Sequence, residues 1–191
     1  MTTSVSTNGI DVEQLVQTIE AIKTDPGLAS FTFRATTSWK EGTHSVARIG
    51  GFRHAGEEDR SRAAPFLLEG DEPPVLLGRN HGPNAVELVL AALGFCYSVG
   101  FVANAAARGI EIEEMSYEIE GDVDLRNFLG ISDEVRPGFG GIRAKAFVKA
   151  PGASEQELTD LCTYVQDTSP VKDVLANAVP ITTTIEVNAS R

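Results

Sequence analysis

The chain has 191 residues, enough for one domain with a real core, and its 42% hydrophobic and 23% charged content is ordinary for a globular protein. A net charge of −11 speaks against nucleic acid or an anionic membrane surface as partner, since both require clustered Lys and Arg. Two cysteines, Cys96 and Cys162, are too few for a secreted disulfide scaffold, and the start lacks the basic and then apolar stretch of a signal peptide. A cytoplasmic protein is therefore expected.

In chain order, residues 1–9 are polar and read as disordered. Residues 11–23 place Val12, Leu15, Val16, Ile19 and Ile22 at helical spacing, ended by Asp25-Pro26-Gly27. Phe31, Phe33 and Ala35 then alternate with polar residues as a half-buried strand should. Lys40-Glu41-Gly42 reads as a turn into a second strand over 45–52, giving a hairpin. Residues 54–84 read as loop-like, longer than most loops in a compact domain, and such stretches are usually functional or carry short elements of their own.

A capping box marks the next helix, with Asn84 as N-cap and Glu87 three residues on; the helix runs to about Arg108, and Gly109 is its C′ residue. Residues 88–107 carry no charge, and a helix buried on all sides is expected rather than a membrane span. Strands are expected at 115–120, with Met115, Tyr117 and Ile119 on one face, and at 142–148, separated by a Gly-rich excursion. The Pro137-Gly138-Phe139-Gly140-Gly141 string lacks a phosphate-loop pattern and reads as a turn. Ser154 and Glu157 form a second capping box for a helix to about Gln166, and Ser169-Pro170 opens a short helix to Asn177. A strand at 181–187 closes the chain. Hairpin strands around a helical middle indicate α+β rather than a doubly wound parallel sheet.

The candidate reactive group is the thiol of Cys96. It shares a helix face with Ala92, Leu93, Val99 and Gly100, and a buried free cysteine can equally be a small hydrophobe. Mid-helix, it gains little from the helix dipole, so activation has to come from side chains the fold brings in. Glu87 stands nine residues earlier, about two and a half turns and ~13 Å along the axis, and is expected on broadly the same side; as a cap it needs no further role. Cys162 lies in the apolar stripe of Leu158, Leu161 and Val165 and reads as core. His44, His54 and His81 have no ligand spacing, so neither a metal site nor a cofactor is expected.

From Gly82-Pro83-Asn84 through Glu87-Leu88 and Ala91-Ala92-Leu93-Gly94 to Cys96, the sequence closely resembles the OsmC/Ohr family of osmotically inducible and organic hydroperoxide resistance proteins. Gly109-Ile110, Glu120-Gly121-Asp122 and Ser169-Pro170-Val171 follow in the family's order, so the resemblance covers about residues 30–188. It implies an OsmC-like domain over 30–191 behind an N-terminal extension of residues 1–29. The implied assembly is an intertwined homodimer, with bent antiparallel sheets around long central helices and a site at the interface. It also implies a thiol peroxidase for organic hydroperoxides, with Cys96 as the peroxidatic residue.

The chain departs from the family at three points. Ser169 stands where the resolving cysteine is usual. Lys40 falls in the turn that carries the thiolate-steadying arginine, supplying charge without a bidentate fork. The family's glutamate matches Val86, one residue before Glu87. The resemblance thus implies a divergent branch in which Cys96, with Glu87 and Lys40, takes a small apolar hydroperoxide and is recycled by an external thiol reductant. The alternative is a dimer that binds a small ligand without catalysis, in which Cys96 only packs.

Overall fold

The computed structural model describes residues 6–187. Two short strands, β1 (Ser6–Thr7) and β2 (Ile10–Asp11), pair across Asn8-Gly9, both at positive φ. That is the turn an Asn-Gly pair favours, and it corrects the expectation of disorder for residues 6–9; residues 1–5 lie outside the described residues. The Asn8 side chain donates to the Ile110 carbonyl at 2.9 Å and accepts from the Ile112 N–H at 2.9 Å, which pins this hairpin to the chain beyond the central helix. Helix α1 (Val12–Thr24) follows, N-capped by Asp11.

The expected hairpin exists in a more broken form. Strand β3 (Phe31–Thr32) pairs with β6 (Phe52–His54), and β6 with β7 (Glu57–Asp59). A separate sheet holds β4 (Thr36–Glu41), β5 (His44–Ile49) and β8 (Phe66–Gly70) in the order β4-β5-β8. Gly50-Gly51 divides what the hydrophobic alternation presents as one strand, so the chain changes sheets there. The 54–84 segment is therefore not a single loop, since it carries β7, β8 and a 3₁₀ turn at Pro74–Leu76.

Helix α2 (Ala85–Ala107) begins with the expected capping box and ends at Gly109, whose φ is +69°. Leu93, Tyr97, Phe101 and Ala105, four residues apart, form its buried stripe. Strand β9 (Glu114–Val123) pairs antiparallel with β10 (Phe139–Lys149), longer than expected at both ends; Tyr117 opposes Ala146, and Ile119 opposes Ala144. Met115, Tyr117 and Ile119 point at the core, as their alternation predicts. Helices α3 (Glu155–Thr168) and α4 (Pro170–Ala176), capped by Ser154 and Ser169, close over the other side of α2. At the crossing, a Cβ on Gly100 would meet Val165 at 3.1 Å, so glycine allows the α2–α3 approach.

Two expectations fail in an informative way. Helix α2 is long and apolar enough to cross a membrane, and it is not buried all round: Phe95 and Val99 are more than two-thirds exposed on the face opposite the core. The closing strand is absent too. Residues 177–187 adopt neither helix nor strand, with Ile181 and Ile185 exposed. A strand needs a ladder partner, and in a single chain this segment pairs with none. Residues 188–191 lie outside the described residues.

Candidate functional site around Cys96

Cys96 is half-buried on α2 and faces the start of α4. There Ser169 is 5% exposed and serves as the helix N-cap, its Oγ accepting the Lys172 N–H at 3.1 Å. The same Oγ lies 3.1 Å from Cys96 Sγ. A hydroxyl has one proton to donate and two lone pairs. With a lone pair engaged by Lys172 N–H, the Ser169 proton remains free to donate to a Cys96 thiolate. Either the hydroxyl or the thiol can donate in this contact. The polar neighbour that the middle of α2 does not itself supply thus comes from a different helix.

The other expected site residues are not gathered here. Glu87 is spent on its cap, its Oε2 accepting the Asn84 N–H at 2.8 Å. It lines a cleft of ≈560 Å³ with Leu90, Ala91, Gly94, Phe95 and Tyr117, to which Cys96 does not contribute. The expectation of one shared side is corrected by helix geometry, because nine residues at 100° each leave Glu87 half a turn out of phase with Cys96. Lys40 is exposed at an irregularity in the β4–β5 pairing and has no hydrogen bond or ion pair among the described residues. Arg34, Arg48 and Arg53 make no hydrogen bond to Cys96 either; Arg34 and Arg53 both bind Glu58.

Cys162 packs against the core, as its stripe predicts, and accepts from Gln166 Nε2 at 3.4 Å. Both cysteines are free. Beneath them, Tyr97 and Tyr117 lie 5.7 Å apart, ring centre to ring centre. Burial raises the phenol pKa of each, pushing Tyr117 up to about 12, so both stay neutral and lend the thiols no charge. No cluster of His, Cys, Asp or Glu among the described residues could hold a metal ion.

One residue that sequence reading passed over organises the approach to α2. Asp71 is 4% exposed. Its carboxylate accepts from the Thr43 hydroxyl, from His81 Nδ1 at 2.7 Å, and from the backbone N–H groups of Glu72, Arg79 and His81. Thr43 above all, then His81 and the Arg79 and His81 amides, hold its pKa well below the ordinary carboxylate range. The available signal was an aspartate at a strand end before Pro73-Pro74. Because the folded value is depressed, this carboxylate stabilises the fold fully above the usual range near about pH 4, and that contribution is lost as pH falls through the depressed value. Thermal unfolding followed from pH 7 downward should show a falling Tm below that range, with a shallower fall in Asp71→Asn than in the parent.

The family profile described as OsmC-like protein matches residues 78–184, more than half of the chain and the whole of α2. No curated protein sequence matches. Among solved structures, an OsmC-like protein from Mycoplasma pneumoniae superposes with a TM-score of 0.58 at 17% identity, over 76% of this chain and 87% of that one. An organic hydroperoxide resistance protein OsmC from Legionella pneumophila, also described as a predicted redox protein, gives 0.51 at 18%, covering 75% and 88%. An OsmC-like protein of unknown function from Vibrio cholerae gives 0.53 at 11%, covering 74% and 92%. Such identities speak for the fold alone, and it is the α+β, OsmC-like fold that the Cys96 block implies. With the profile spanning the central helix, its thiol and the Ser169 cap, the chain belongs to the OsmC-like protein family.

Proposed function

We propose that this protein is a thiol-dependent redox protein that reduces small apolar organic hydroperoxides through Cys96 alone. The observation that carries the reading is the 3.1 Å contact between Cys96 Sγ and the capped Ser169 hydroxyl. In the first step the Cys96 thiolate attacks the peroxide O–O bond. One oxygen stays on sulfur as a sulfenic acid, and the other leaves as an alkoxide that takes a proton to become the alcohol. Ser169 cannot form a disulfide, so an external thiol condenses with the sulfenic acid, releasing water, and a second thiol frees Cys96 by exchange. Cytoplasmic thiols suit that role.

A homodimer is part of the proposal. Ala92, Phe95 and Val99 make an exposed stripe along α2 beside Cys96, and Phe66, Leu67 and Trp39 are exposed on the β4-β5-β8 sheet. A second copy would cover such surface and give the 181–187 segment an edge to pair with. Within one chain neither Lys40 nor Glu87 contacts Cys96, so a role for either requires the second chain to bring it there. The ≈560 Å³ cleft beside Phe95, which Cys96 does not line, favours one other reading, a non-catalytic dimer that holds a small ligand.

Cumene hydroperoxide consumption with dithiothreitol as reductant separates the two. The expected result is turnover that disappears in Cys96→Ser, with Cys96 sulfenic acid trapped by dimedone and detected by mass spectrometry. Persistence of peroxide with an unmodified Cys96 thiol would sink the redox reading and leave the ligand-binding one.

A further inference from the structure

Away from Cys96, a cleft of ≈370 Å³ opens where the two N-terminal sheets meet. Three guanidinium groups line it, those of Arg34, Arg48 and Arg62, together with Thr36 and small residues around Gly50 and Ala64, and no acidic side chain does. In a chain of net charge −11, that concentration of positive charge runs against the overall balance.

Two of the three arginines are held in place. Arg62 Nη1 donates to the Gly50 carbonyl at 2.6 Å, and its guanidinium lies over two aromatic rings, 5.1 Å from the centre of Phe52 and 5.3 Å from that of Phe66. Arg34 is fixed by Glu58. That carboxylate also binds Arg53, so one negative charge serves two guanidiniums and leaves a local surplus of one positive charge. The side chain of Arg48, on β5, has no hydrogen bond or ion pair among the described residues. The site thus has two rigid cationic walls and one uncommitted arginine.

We infer that this cleft binds the phosphate group of a small molecule, with Arg48 closing on the anion while Arg62 and Arg34 present fixed N–H groups. Guanidinium forks match the tetrahedral oxygens of phosphate and bind them with charge-assisted hydrogen bonds. The small side chains leave room for the anion, and Thr36 offers a hydroxyl at the rim. The overall negative charge selects against polyanions, whose approach the rest of the surface repels, and so favours a small phosphate ester over an anionic bilayer.

The test is calorimetric titration of the full-length protein, at fixed ionic strength, with inorganic phosphate, phenyl phosphate and phosphatidylglycerol vesicles. Saturable binding of one phosphate or phenyl phosphate per chain is expected. Arg48→Ala should weaken it about tenfold or more without changing Tm, because that side chain is exposed and unpaired. Arg48→Lys should recover part of the loss. Cys96→Ser should bind like the parent, which keeps this inference separate from the redox reading. Absence of saturable binding, equal affinity in Arg48→Ala, or binding to vesicles alone would overturn it.

Discussion

Ser169→Cys should convert the site into one that closes a disulfide. The serine Oγ already lies 3.1 Å from Cys96 Sγ, in helices 73 residues apart in sequence, so a sulfur in its place starts within about an ångström of bonding distance. The substitution costs the α4 cap about 1 kcal/mol, since Oγ no longer receives the Lys172 N–H. That same N–H then faces the introduced thiol and lowers its pKa, which favours attack on the Cys96 sulfenic acid with loss of water. Treated with one equivalent of hydroperoxide, the variant should lose the Cys96 thiol and the introduced one to alkylation while Cys162 stays free, and non-reducing peptide mapping should link the two helices. The parent should lose only Cys96, as the sulfenic acid or its mixed disulfide. If the introduced thiol stays free after Cys96 has oxidised, the Cys96–Ser169 contact does not hold in the oxidised protein.

The second large effect concerns stability. Phe101 is fully buried in the core cluster with Tyr97, Ala105, Leu161 and Val165, on the helix that packs against β9 and α3. Truncation in Phe101→Ala should cost about 3–5 kcal/mol through lost burial and the cavity left behind. Among the described residues the buried apolar core numbers nine, so this is a large share of a stability that is itself only about 5–15 kcal/mol for a typical domain. Urea denaturation should show the midpoint falling steeply, or no folded baseline at all. Ile131→Ala, on the exposed excursion between β9 and β10, should leave the midpoint nearly unchanged.

Helices were readable because their signals are local. Both capping boxes, the Ser169-Pro170 start and the Gly109 stop depend on residues within one turn of each other, and each stands where its sequence pattern places it. Strand boundaries depend on which distant segment offers a ladder. Hence a hairpin turning near Gly42 into β5 is legible, while the split of its first strand into β3 and β4, the sheet change at Gly50-Gly51 and the pairing of β8 with β5 are not. The unpaired 181–187 segment shows the same dependence, since alternating residues make a strand only where an edge awaits them. At the site, Cys96 and Ser169 could each be singled out, Cys96 by its block and Ser169 by its cap. Their contact across 73 residues could not, nor could the convergence of five donors on Asp71.

Among the described residues, every buried apolar side chain of the core lies between residues 93 and 165. During synthesis, at about 5–20 residues per second, the first half of the chain therefore leaves the ribosome seconds before that core exists. For that interval Phe31, Trp39 and Phe66 are carried, exposed, on the strands of the N-terminal sheets. The order of the genetic message thus opens these side chains to self-association early, and α2 and α3 do not end that exposure, since the same side chains stay exposed in the folded chain.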